Sequence, residues 1–115
     1  MTLTLAQVVI DCEDAARLAG FWSQVLGRTV DGGASEYFAT IRGAAPALMF
    51  LKVPERKQGK NRVHLDYTAP DWRAEVKRVT ELGATFVAEF AEYGTEWATL
   101  QDPEGNEFDI GAQHA

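Results

Sequence analysis

The chain has 115 residues, 46% of them apolar, which is enough to fill one core but not two independent ones. Its formal charge of −6 argues against a nucleic-acid partner, because phosphate binding needs a net basic face. The longest apolar runs, such as Ala44 to Leu51, are too short to span a bilayer, and no basic stretch leads into an apolar one at the start, so a cytoplasmic protein without a membrane partner is expected.

Leu3 to Asp11 alternates and is rich in β-formers, which predicts a strand. Directly after it the single cysteine, Cys12, continues the alternation and shares a face with Val8 and Ile10; a lone thiol forms no internal disulfide, and this one reads as a small buried hydrophobe. Asp14 opens a helical pattern with Leu18, Phe21, Trp22, Val25 and Leu26 on one side, and Gly27 ends it. Three strands are predicted next, near Arg28 to Asp31, Ser35 to Ile41 and Pro46 to Val53, separated by Gly32-Gly33 and Gly43. The polar stretch from Pro54 to Asn61 reads as a linker.

The order then repeats. Arg62 to Thr68 reads as a strand, Asp71 leads a helix with Trp72, Val76, Val79 and Leu82 at spacings of four and three, and Gly83 closes it. Strands near Thr85 to Val87, Thr95 to Gln101 and Asn106 to Gly111 complete the second half, with Asp102-Pro103-Glu104-Gly105-Asn106 as the turn between the last two. The expected fold is therefore α+β: two tandem βαβββ modules, about 1–53 and 62–115 with linker 54–61, forming a curved mixed sheet around a central cup within a single domain.

A duplicated unit creates pairs of equivalent positions. The helix starts Asp14 and Asp71 lie 57 residues apart, and the same offset pairs Gln7 with His64. Matching Phe50-Leu51 with Asp109-Ile110, 59 residues on, pairs Phe50 with Asp109. Strand alternation places Gln7, Val9 and Asp11 opposite Val8, Ile10 and Cys12, and His64, Asp66 and Thr68 opposite Val63, Leu65 and Tyr67. The polar sets, with Phe50, Glu107 and Asp109, are expected to line the cup. Trp22 and Trp72 fall in helix stripes and read as core, whereas Trp97 and Phe50 suit an apolar cup wall. His114 falls in a tail.

Each polar candidate also has a plainer reading. His64 and Asp66 would serve as a hydrogen-bonded pair orienting a ligand without a metal, and Asp109 and Gln7 as simple hydrogen-bond partners. Lys52, Arg56, Lys57, Lys60 and Arg62 read as a solvated linker, with guidance of an anionic substrate as the alternative. No Ser-His-Asp arrangement, phosphate-cradling glycine loop or Cys-x-x-Cys pair is present.

Four segments together resemble the vicinal oxygen chelate superfamily (glyoxalase, bleomycin resistance protein, extradiol dioxygenase), in particular its small glyoxalase-like domains. They are Asp14 to Gly27 with its Phe-Trp-Ser-Gln-Val-Leu-Gly ending, Val-His-Leu-Asp at 63–66, Glu-Leu-Gly-Ala at 81–84, and Asp-Pro-Glu-Gly-Asn-Glu-Phe-Asp-Ile at 102–110. The resemblance covers essentially the whole chain. It implies a divalent metal (Zn, Ni, Fe or Mn) held by one residue from the first and one from the fourth strand of each module, here Gln7, Phe50, His64 and Asp109. His64 and Asp109 suit a metal, Gln7 offers only a neutral carbonyl, and Phe50 offers nothing.

Two functions follow as expectations. One is a metal-dependent lyase, isomerase or dioxygenase acting on a substrate with vicinal oxygens, with metal ligands Gln7, His64 and Asp109 and with Glu107 as the nearest spare carboxylate to act as base. The other is a metal-free small-ligand or drug-binding protein, in which Phe50 and Trp97 stack a planar ligand and Asp66 helps to orient it. A structural module without a ligand is a third reading. The resemblance also implies a homodimer.

Overall fold

The computed structural model describes residues 3–113 and divides the chain into two compact units that part between Lys57 and Gln58. His114 lies outside the described residues. The architecture is α+β, with a helix and mixed strands in each unit, and it follows the tandem βαβββ plan.

In the first unit β1 (Val8–Cys12), α1 (Ala15–Leu26), β2 (Phe38–Ile41) and β3 (Leu48–Lys52) form a three-stranded sheet in the order β1-β3-β2, with β1 parallel and β2 antiparallel to β3. The Asp14 carboxylate caps α1 by accepting from the Arg17 N–H at 3.2 Å, and Gly27 ends it in the left-handed region at φ 64°. The buried stripe Ala15, Leu18, Ala19, Phe21 and Trp22 is the face that α1 turns to its sheet. Cys12 is buried, as expected of a small hydrophobe.

The strand expected near Arg28 to Asp31 does not form. It is reduced to one backbone hydrogen bond, from the Asp31 N–H to the Thr40 carbonyl at 2.9 Å. The reason lies in the Asp31 side chain, which accepts from the Thr40 hydroxyl at 2.7 Å and the Arg42 N–H at 2.8 Å. These bonds, the Thr40 hydroxyl first, hold its carboxyl below the usual carboxylate range and satisfy the strand edge locally.

The second unit comprises β4 (Leu65–Ala69), α2 (Trp72–Glu81), β5 (Thr85–Glu92), β6 (Thr95–Gln101) and β7 (Glu107–Ala112), with sheet order β4-β7-β6-β5. Only β4 and β7 run parallel; the other neighbours are antiparallel. The Asp71 carboxylate caps α2 through the Ala74 N–H at 3.2 Å. Leu100, Phe108 and Ile110, together with Trp72 and Val79 from α2, are buried and make this unit's core. β5 runs five residues further than the sequence suggests, to Glu92, because Tyr93-Gly94, both at positive φ, form a two-residue hairpin turn. The expected turn at 102–106 closes on the buried Asp102, whose Oδ1 accepts from the Glu104 and Asn106 N–H groups at 2.9 and 3.0 Å.

Candidate metal and ligand site

Register decides which side chains meet on the face of the second sheet that points away from α2. Asp66 stands opposite Asp109, Thr99 opposite Asp109, Gln101 opposite Glu107, Trp97 opposite Gly111 and Phe90 opposite Trp97. Opposed residues share a face, so these side chains project together while Leu65, Tyr67, Phe108 and Ile110 point the other way. His64 sits one residue before β4 and two before Asp66, on the same side.

The result is a compact cluster. The His64 Nε2 lies 3.4 Å from Asp66 Oδ1 and 3.3 Å from Asp109 Oδ2, and ligand atoms of all three groups fall within 4.8 Å of one another. The Asp109 side chain is 15% exposed and is fixed by a hydrogen bond from the Thr99 hydroxyl to its Oδ1 at 2.7 Å. The other oxygen is thereby left for His64. Desolvation and the neighbouring Asp109 charge raise the Asp66 pKa, partly offset by His64, and a hydrogen bond shared with Asp109 pushes it the same way.

The donor set fits a divalent ion. Tetrahedral ligation with bonds of about 2.1 Å separates donor atoms by about 3.4 Å, the spacing found around His64. One imidazole and two carboxylates suit Zn, Ni, Fe or Mn, and a cation would relieve the repulsion between the two aspartates. The Thr99 hydroxyl is the outer-sphere partner that such a carboxylate ligand needs.

Glu107 shares the face but is not a spare carboxylate. Its Oε1 accepts from the Asn61 N–H at 3.0 Å, and its Oε2 lies 3.6 Å from the Lys60 ammonium. Trp97 stacks on Phe90 with ring centroids 5.4 Å apart and planes 22° apart. A Cβ at Gly111 would meet the Trp97 Cβ and the Glu96 carbonyl at 2.8 Å, so only glycine fits beneath this pair.

Phe50, expected both as a ligand-stacking wall and as the counterpart of Asp109, is neither. It is fully buried, opposite Ile10 and Ala39. The repeat offset for the last strands is 60, since Met49 opposes Val9 as Asp109 opposes Asp66. A slip of one residue turns a side chain to the other face. The true counterpart of Asp109 is Met49, and in the first unit the Gln7 amide nitrogen donates to the Met49 Sδ at 3.8 Å where the second unit has His64 beside Asp109. Matching apolar with apolar, Leu48 and Phe50 with Phe108 and Ile110, would have given this register. Thr99 and Phe90 went unread as well, although counting outward from the 102–106 turn pairs Thr99 with Asp109.

Comparison with known proteins bears on the fold. The model of the glyoxalase-like domain family matches residues 7–111. No curated protein matches the sequence. A glyoxalase/bleomycin resistance protein/dioxygenase family enzyme from Burkholderia phytofirmans PsJN is similar in structure, with TM-score 0.81 and 22% identity over 96% of this chain and 98% of that one. The fosfomycin resistance protein FosX from Listeria monocytogenes gives 0.77 and 12% over 99% and 96%. Lactoylglutathione lyase from Agrobacterium tumefaciens gives 0.69 and 13% over 97% and 95%. At such identities these likenesses speak for the fold, and the family match spans nearly the whole chain: the protein belongs to the glyoxalase-like domain family.

Proposed function

We propose that this protein is a metal-dependent enzyme of the lyase, isomerase or dioxygenase type, acting on a small molecule with two adjacent oxygens, and that His64, Asp66 and Asp109 hold the ion. The observation that carries this reading is the imidazole set 3.3 and 3.4 Å from two carboxylates on one sheet face. A divalent ion there would supply Lewis acidity toward both substrate oxygens. Thr99 orients Asp109, and desolvation, then the neighbouring Asp109, raises the Asp66 pKa, a shift that a bound cation would oppose. Gln7 belongs to the first unit, where its amide nitrogen is engaged with Met49, and is left out of this ligand set. Among the similar structures one is named a lyase and two are named fosfomycin resistance proteins, which supports small-molecule chemistry. We propose a cytoplasmic location and, by family resemblance, a homodimer; among the described residues no helix is long and apolar enough to cross a membrane.

The stacked Phe90–Trp97 pair favours a second reading, metal-free binding of a planar ligand. Its Trp97 stands two residues along β6 from Thr99, about 7 Å from it, and the pair takes the place of the wall expected of Phe50. Elemental analysis of protein purified without chelator, for the wild type and His64→Ala, separates the two. The enzyme reading expects about one metal per chain in the wild type and none in the variant. Metal-free wild-type protein whose tryptophan fluorescence is quenched by a planar ligand would transfer the case to the binder.

A further inference from the structure

We propose that Glu107 is a positioning residue: through Asn61 it braces the short segment that ends in His64. Glu107 sits on β7 two residues before Asp109, with its side chain 14% exposed. Its Oε1 accepts the Asn61 backbone N–H at 3.0 Å, which ties residues 58–64 to the sheet. A second link follows, since the Asn61 Nδ2 donates to the Val63 carbonyl at 3.3 Å, on the residue just before His64. The Asn61 Oδ1 is buried without a partner, so the Val63 contact sets the orientation of that amide.

The brace has work to do because His64 lies outside β4 and lacks the register that fixes Asp66 and Asp109. Three residues of free chain reach about 10 Å, far more than the imidazole can move and keep its contact with Asp109. The Lys60 ammonium, 74% exposed, adds an ion pair that solvent screens, so the hydrogen bond that Glu107 accepts from Asn61 matters more than this ion pair. Glu107 thus acts through Asn61 and Val63 on the direction of His64 and not on a reacting atom.

This rests on the metal reading only for what His64 does, and the test separates the two. Amide deuterium exchange and Co(II) binding, followed by the visible spectrum, are compared in the wild type, Glu107→Ala, Glu107→Gln, Asn61→Ala and Lys60→Met. Glu107→Ala is expected to speed exchange at Asn61 at least tenfold and to weaken Co(II) binding about tenfold. Glu107→Gln keeps an acceptor and rescues both, and Lys60→Met matches the wild type. Asn61→Ala weakens Co(II) binding too, and the Glu107→Ala/Asn61→Ala double variant is no weaker than the worse single one. Unchanged Asn61 exchange in Glu107→Ala, or a Gln variant as impaired as the Ala variant, overturns the brace. Absence of Co(II) binding by the wild type sinks the metal reading instead, and the exchange rates then decide the brace by themselves.

Discussion

Asp66 and Asp109 face each other across the parallel β4–β7 pair, so two carboxylates of like sign share one patch of sheet. Desolvation and that neighbour raise the folded-state pKa of Asp66 above its unfolded value. A carboxyl shifted this way contributes stability below the ordinary carboxylate range and loses it as the pH rises through the folded value. In metal-free protein Asp66→Asn should therefore raise Tm at pH 7 and leave it nearly unchanged at pH 3; an unaltered Tm at pH 7 would contradict the strain. Thr99 acts on the same carboxylate pair from outside. Thr99→Val removes the 2.7 Å bond to Asp109 and should weaken metal binding about 10–100-fold, measured by calorimetric titration, because an ion ligand loses its outer partner. Phe50 behaves in the opposite way to a site residue. Phe50→Ala should cost about 3–5 kcal/mol in denaturant unfolding and leave metal affinity intact.

At the scale of elements, caps and turns were open to sequence reasoning because they depend on few neighbouring residues. Asp14 and Asp71 cap the helices, and Asp102 closes the last hairpin through its own side chain. Register was less open. The pairing of Gln7 with His64 follows from helix starts and agrees with the strands, but matching Phe50 to Asp109 set an aromatic against a carboxylate and missed by one residue. The absent strand near Arg28 was hidden because a side chain, Asp31, does there what backbone pairing does elsewhere. Gly111 gives a direct check on the β6–β7 pair: Gly111→Ala places a Cβ against immobile backbone and the Trp97 Cβ, and should destabilise by about 1–3 kcal/mol in thermal unfolding. The opposite face offers another. Burial pushes the Tyr67 phenol up to about 12 as it packs edge-on to Phe108, so stability present below pH 10 is lost as the pH rises toward 12. An absorbance titration should show the loss, and Tyr67→Phe should abolish it.

Across the whole molecule, duplication supplied two copies of one frame and the sequence filled them differently. The second unit places imidazole and carboxylate where the first places amide and thioether. That asymmetry was half visible: His64, Asp66 and Asp109 could be chosen from alternation and the resemblance, whereas Met49 emerged only from paired strands. The net charge of −6 also gives a cation a favourable surroundings on approach, so metal binding should weaken as ionic strength rises. The most direct test of the central claim is anomalous diffraction from crystals soaked in Co(II). The account predicts one strong peak with His64 Nε2 and oxygens of Asp66 and Asp109 at about 2.0–2.2 Å. A peak elsewhere, or none at this cluster at saturating Co(II), would contradict it.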